Sequence, residues 1–338
     1  MTQSPTVTVV IPTAGGRAEL LERSIGTLLE DPATSEVIVV IDGAAPETEA
    51  VVRRYSEGDQ RVKLTQPPAT ATPRPDRGQW CRDWGARVAS SQVVLSLDDD
   101  VEPDPGLVSG HAARHASSES LVVMGYMPVV SPRVRAGAVR ATARLYSTAY
   151  ERACAPFRQR PDQVLEGLWT GNLSLRRAHW LGAANETSVY AAYHEDRQFG
   201  LRLRAIGLTG IFDPGLRAKH WYRRTASEAA KDAVSSGLGQ ALLCVEYPEL
   251  NESDPDQTLR PDSVRRRILW WCARSRLGWS LASRSLVLAA NAAALCRLPG
   301  LEYASVRTLR EIGFARGVQQ VTRGAAPDPW TTAKAARA

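Results

Sequence analysis

The sequence is short of the features that would place it outside the cell or across a membrane. Its 338 residues include five cysteines (Cys81, Cys154, Cys244, Cys272 and Cys296), scattered and without a C-x-x-C pair. An odd, unpatterned set argues against a disulfide framework and for reduced thiols. The opening residues, MTQSPTVTVVIPT, lack a basic n-region and a long apolar h-region, so no signal peptide is expected. The N-x-[ST] matches at Asn172, Asn185 and Asn251 then read as chance. The apolar stretch late in the chain is 10 residues long and broken by Asn291, too short and interrupted for a transmembrane helix. No lysine follows a glycine, which removes a G-x-x-x-x-G-K-[ST] phosphate loop.

What is present is ordinary for a globular protein: 43% hydrophobic and 23% charged residues. Charge is unevenly placed. From Pro261 onward there are 12 Arg and 1 Lys against 4 acids, a net +9, while the whole chain carries +6. The first 260 residues are therefore slightly acidic, and the basic character belongs to the tail.

The first hundred residues alternate regularly. VTVVI (7–11), EVIVVI (36–41), RVKLT (61–65) and QVVLSL (92–97) read as strands. Leu20, Leu21, Ile25 and Leu28 share one helical face, Pro46 opens a second helix, and Trp80, Trp84 and Val88 mark a third. Strands alternating with helices imply a parallel α/β sheet. Right-handed crossovers bring the carboxyl ends of its strands to one edge, where such sheets bind ligands. Pro12-Thr13, Asp42-Gly43 and Asp98-Asp99-Asp100 all follow strand ends, so they should line one crevice. Further on, 121–127 reads as a strand, 134–153 as a helix and GIF (210–212) as a short strand.

The aspartate triplet needs a reason. Like charges about 6 Å apart at an effective dielectric near 20 repel by roughly 3 kcal/mol per pair. An EF-hand is excluded, because its sixth and twelfth positions here hold Pro103 and Ser109. A divalent ion held by one or two carboxylates and shared with substrate phosphates remains, beside a plain solvated acidic turn.

Seven blocks then resemble the family 2 glycosyltransferases in order and spacing: VTVVIPTAGGRAELLERSIGTLL, EVIVVIDGA, RGQWCRDWGARVA, VVLSLDDDVEPDPGLV, LWTGNLSLRRAHWLGA, HEDRQFGLRLRAIG and DPGLRAKHW. The resemblance covers about residues 7–222 and implies a GT-A nucleotide-sugar-binding fold with a central, mostly parallel sheet. It implies an inverting, metal-dependent transfer from a nucleoside-diphosphate sugar, UDP-linked by preference, to an acceptor hydroxyl. By the same resemblance Pro12, Thr13, Asp42, Gly78, Arg82, Asp98 and Asp99 touch the nucleotide. Asp100, with Asp98 and His220, would hold Mn²⁺ or Mg²⁺. Glu195 and Asp196 match the family's catalytic pair, with Asp196 as the base, and Trp169, Gly171 and Asn172 fall on the acceptor side. The sequence departs from the pattern at Asp83, where Asn is usual, at the bulky Trp80 and Trp84, and at Ile41-Asp42, where two acids are common.

The expected organisation is a catalytic domain over 1–224, with a nucleotide half (1–105) and an acceptor half (106–224). A helical extension over 225–338 follows, with a linker near 248–262. For the Arg- and Trp-bearing tail, packing on the catalytic domain, an interfacial helix on an anionic membrane and a homodimer contact all stay open; nucleic acid is not expected as a partner. A cytoplasmic location is expected, with room for peripheral attachment at the inner face of the membrane. The alternatives to glycosyl transfer are a nucleotidyltransferase of related design and a non-catalytic nucleotide-sugar-binding module.

Overall fold

The computed structural model describes residues 5–69, 76–184, 193–251 and 264–322. The N-x-[ST] match at Asn185 lies outside them, as does the linker beyond residue 251.

Apolar β-branched runs build the centre. β1 (Val7–Thr13) and β2 (Thr34–Ile41) pair in parallel, and β2 carries only one exposed residue. Near-continuous burial is what a strand covered on both faces requires. α1 (Ala18–Glu30) connects them and turns Leu20, Leu21, Ile25 and Leu28 inward, as its periodicity predicts. α2 (Pro46–Gly58) opens on its proline and leads to β3 (Val62–Thr65), parallel to β2. α3 (Arg77–Val88) then feeds β4 (Val93–Leu97), which pairs in parallel with the other side of β1.

Inside this part the one clear departure from the sequence expectation is α3. Its buried side carries Cys81, Arg82, Gly85 and Ala86, while Val88 is exposed and Trp84 only half-buried. The tryptophan stripe is therefore not the core face. Trp84 still anchors, because its Nε1 donates to Thr65 Oγ1 at 3.0 Å.

Beyond β4 the sheet becomes mixed. β5 (Val101–Pro103), α4 (Leu107–Ala116) and β6 (Leu121–Tyr126) follow, then α5 (Val139–Phe157), which starts five residues later than the sequence suggests. β7 (Asn172–Arg176) runs antiparallel to both β4 and β6. α6 (Arg177–Ala183) and α7 (Glu195–Ala205) precede β8 (Thr209–His220). The expected three-residue strand at 210–212 is thus the start of a twelve-residue one. The register against β6 slips after Asp213, where Pro214-Gly215 interrupts it, and pairing resumes at Arg217. The eight strands lie in the order β3-β2-β1-β4-β7-β6-β8-β5. Because β2 and β4 flank β1, the chain reverses its winding there, the place where open α/β sheets bind ligands.

The helical extension is packed, not tethered. α8 (Ala226–Glu246) is nucleated by a reciprocal cap, in which Thr225 Oγ1 accepts from Glu228 N and Glu228 Oε2 accepts from Thr225 N. α9 (Val264–Arg274), α10 (Arg276–Leu295) and α11 (Pro299–Thr322) complete it. Gly237 of α8 sits against the carbonyl of Phe314, so the two helix backbones meet closely and a side chain would not fit. Val306 and Leu309 of α11 are buried among Ala138, Ala141, Ala226, Ala230, Ala290 and Ala294, contributing about 1.5–3 kcal/mol each. The expected linker begins with a 3₁₀ turn (Pro248–Asn251) whose Leu250 packs on Leu201 and Leu243.

Candidate active site

The carboxyl ends of β1, β2 and β4 open onto a crevice of about 250 Å³. Its walls include Pro12 and Thr13 from β1, Asp42 after β2, Gly78 and Arg82 on α3, and Asp98, Asp99 and Asp100 after β4. These are the three polar clusters expected at one edge, together with the start of α3. Arg17, Arg77 and Arg224 line it too. Four guanidinium groups thus face four carboxylates.

Every aspartate of the triplet has a cationic neighbour, Arg17 being shared by Asp99 and Asp100. Asp98 Oδ1 accepts from Arg82 Nη2 at 2.6 Å. Asp99 accepts from Arg17 Nη1 at 2.5 Å and from Thr13 Oγ1 at 2.6 Å. Asp100 Oδ2 lies 3.1 Å from Arg17 Nη2, while its Oδ1 lies 3.5 Å from His220 Nε2. Burial pushes the Asp99 carboxyl up to about 6 in spite of Arg17. Burial alone would also raise Asp100, but the His220 and Arg17 contacts overcome it and hold this carboxyl below its ordinary value. Backbone bonds fix the turn: Asp98 N donates to Gly171 O at 3.2 Å, and Asp100 O accepts from Trp221 N at 2.8 Å.

Glu195 and Asp196 occupy the first turn of α7, where a helix dipole favours negative charge. His194 before them takes left-handed backbone (φ 69°), which turns the chain into the helix. Its ring nitrogen lies 3.3 Å from Ser236 Oγ of α8, so the extension braces the start of α7. Burial lowers the His194 ring to about 3, leaving it neutral. Desolvation, with Asp196 alongside, raises Glu195 to about 8. Desolvation likewise raises Asp196 to about 6, against the pull of the Arg197 amide and of Arg82. Arg82 therefore acts on both acidic clusters. Its Nε and Nη1 are buried without a hydrogen-bond partner among the described residues.

His220 ends β8 and is nearly buried, edge-on to Tyr146 (5.2 Å) and Tyr222 (5.7 Å). Carboxylates are the donors that suit Mg²⁺ or Mn²⁺, and such ions usually take one or two of them with the rest from phosphate and water. Asp98, Asp100 and the adjoining His220 nitrogen fit that demand. Among the described residues no three His, Cys, Asp or Glu side chains are grouped to hold an ion by themselves.

Of the residues expected on the acceptor side, Gly171 lies against Asp98, while Asn172 and Trp169 are engaged by protein neighbours. Asn172 is fully buried in β7; its Oδ1 meets His111 Nε2 at 3.0 Å and its Nδ2 donates to Leu216 O at 3.1 Å. It holds the sheet to α4 and β8. Gly171 makes room for a carboxylate, since a Cβ there would come 2.6 Å from Asp98 Oδ2. Trp169 is engaged by Tyr150 (4.9 Å), Phe157 (5.6 Å) and Phe212 (6.0 Å), in the aromatic core under α5. Sequence reasoning missed Arg17, Arg77 and Arg224. Arg77 precedes Gly78 and pairs with Asp42, but an isolated arginine carries no spacing signal.

Comparison with known proteins agrees with this geometry. Residues 8–156 match the family described as glycosyl transferase family 2. Validoxylamine A glucosyltransferase of Streptomyces hygroscopicus subsp. jinggangensis (strain 5008) is 37% identical over 136 residues, 38% of this chain and 30% of that protein. Its counterpart in S. hygroscopicus subsp. limoneus is 35% identical over 133 residues, 38% of this chain and 28% of that protein. The matched part is thus less than a third of the length of these curated relatives. The mannosyltransferase PcManGT from Pyrobaculum calidifontis, solved with GDP-Man and Mn²⁺, superposes with a TM-score of 0.56 at 15% identity, covering 93% of this chain and 88% of that one. The mixed sheet, with its crevice at the ends of β1, β2 and β4, is the GT-A fold, and residues 8–156, a little under half of the chain, are similar to glycosyl transferase family 2.

Proposed function

We propose that this protein is a metal-dependent, inverting glycosyltransferase that moves a sugar from a nucleoside-diphosphate sugar, a UDP-sugar by preference, to an acceptor hydroxyl. The observation that carries the proposal is the pairing of two acidic clusters through Arg82. One, Asp98–Asp100, sits among arginines at the sheet edge; the other holds a carboxylate tuned to about 6.

In this account Pro12, Thr13 and Asp42 bound the nucleotide end, with Arg77 fixing Asp42. Arg17 and Arg224 supply positive charge for the diphosphate. Asp98 and Asp100, with His220, are the donors for Mn²⁺ or Mg²⁺. Such an ion, when bound, supplies Lewis-acid stabilisation of the charge that develops on the departing diphosphate. Asp196 takes the acceptor's proton as its oxygen attacks the anomeric carbon from the face opposite the leaving group. One displacement inverts that centre. A base near 6 is charged at neutral pH, yet still close enough to accept a proton. Glu195, raised to about 8, keeps its proton at neutral pH and so does not add a second charge beside Asp196.

A thermal-shift screen of nucleotide sugars with and without Mn²⁺ tests the proposal. A bound donor at a hundredfold excess over its dissociation constant adds about 2.7 kcal/mol. A metal-dependent rise with UDP-sugars is expected. No shift with any nucleotide sugar would contradict it. Release of pyrophosphate instead of nucleoside diphosphate in turnover would point to nucleotidyl transfer.

A further inference from the structure

α10 has two faces of opposite use. Trp279, Leu286 and Ala290 point inward, toward α9, α11 and the alanine-lined seam with α5 and α8. On the other side Leu277, Leu281, Leu288 and Leu295 follow at intervals of four, seven and seven residues, one straight stripe about 27 Å long. These four leucines are between 67% and 77% exposed. α9 repeats the arrangement: Ala273 and Leu269 pack inward near α11, while Val264, Ile268 and Trp271 are more than half exposed. Isolated exposed leucines are ordinary, but aligned ones on two consecutive helices mark a contact surface.

Charge identifies the occupant. Residues 264–298 carry seven arginines and no lysine, aspartate or glutamate. Arg276 and Arg284 are exposed on α10 itself, and Arg284 falls within the leucine stripe. A second copy docking along the stripe would have to bury that guanidinium in an apolar seam, which is unfavourable. A lipid surface does not ask for this, because arginine extends its charged head to the headgroups while its stem stays apolar. No helix of the described residues is long and apolar enough to cross a membrane. Apolar residues on one side, arginine flanks and an exposed tryptophan are the composition of a helix lying in the interface.

We infer that the outer face of α9 and α10 docks this protein on an anionic lipid surface. The leucine stripe enters the headgroup–acyl boundary, and Arg276 and Arg284 meet acidic headgroups, while Arg265 stays paired with Glu311 of α11 at 2.6 Å. This stands independently of the chemistry assigned to the crevice.

Flotation of the full chain with vesicles tests it. Binding is expected to phosphatidylcholine vesicles containing phosphatidylserine, not to phosphatidylcholine alone, and it should weaken as salt is raised. Each basic residue near an anionic surface is worth about fivefold in partitioning, so Arg276→Glu with Arg284→Glu should reduce binding by well over an order of magnitude. Leu281→Asp with Leu288→Asp should abolish it while the melting transition stays in place, since neither leucine is in the core. Absence of flotation with anionic vesicles, or equal flotation with neutral ones, would overturn the inference. So would a vesicle-free dimer that the leucine variant dissociates, because a second copy would then cover the stripe.

Discussion

Arg82 Nη2 donates to Asp98 Oδ1 at 2.6 Å, and the same guanidinium favours the charged forms of both Glu195 and Asp196, opposing the rise that burial imposes on them. One buried cation thus joins the crevice edge of the sheet to the first turn of α7. Arg82→Met should cost about 1.5–3 kcal/mol of stability, the usual worth of a hydrogen bond to a charged group. It should also move the acidic limb of the pH–rate profile to higher pH, because Asp196 loses an opposing charge. Denaturant melts together with rate profiles check both effects. A stability loss with an unmoved limb would mean that Arg82 only packs.

Asp196 should dominate the chemistry. Asp196→Asn keeps size and hydrogen bonding but cannot accept a proton, so transfer should fall by about 10²–10⁴-fold while nucleotide binding survives. In the native protein the rate should decline as pH falls through about 6, where this carboxylate takes up its proton. Steady-state rates across pH, read as nucleoside diphosphate released, decide this.

Glu195 supplies a stability test with a defined sign. Its folded value, about 8, stands above the ordinary 4.5. A group raised in this way stabilises fully below its unfolded value, and that contribution is lost as pH rises through the folded value. Glu195→Gln should therefore raise the melting temperature more near about pH 9 than near about pH 5. Equal shifts at both would show that burial does not strain this carboxylate.

Glu36 runs the other way. It is buried in β2 and accepts from Thr8 Oγ1 at 2.8 Å and Ser90 N at 3.1 Å, with Lys63 at its other oxygen. Burial alone would raise it, but the Lys63, Ser90 and Thr8 bonds outweigh that and hold the carboxyl below its ordinary value. Its stabilisation is present above the unfolded value and lost as pH falls through the folded one. Glu36→Gln should cost about 1–3 kcal/mol at neutral pH, with the gap to the parent closing in acid. Urea melts across pH give the answer.

The first hundred residues were legible because their signals are local. Apolar strands, one amphipathic helix and polar residues just past strand ends place Thr13, Asp42 and the aspartate triplet at one edge without any knowledge of long-range contacts. Residues defined by tertiary neighbours were not legible in the same way. Asn172 follows a glycine as a loop residue would, yet β7 inserts between β4 and β6 and buries it against His111. Trp169 looks free to stack on a sugar until α5 and β8 bring Tyr150, Phe157 and Phe212 around it. Arg17 and Arg224 lie far apart in sequence, and only the fold brings both to the crevice. In the tail the apolar pattern is two-sided, so the packed face of α10 emerges only once α11 is in place.

The crevice should bind a nucleoside diphosphate together with a divalent ion. Calorimetric titration of UDP into the full chain, in Mn²⁺ and then in EDTA, tests it most directly. Binding at least about tenfold tighter with Mn²⁺ is expected, a difference of about 1.4 kcal/mol, with loss of most of that gain in Asp100→Asn and the fold intact. Equal affinity in Mn²⁺ and EDTA, or no binding of UDP in either, would contradict it.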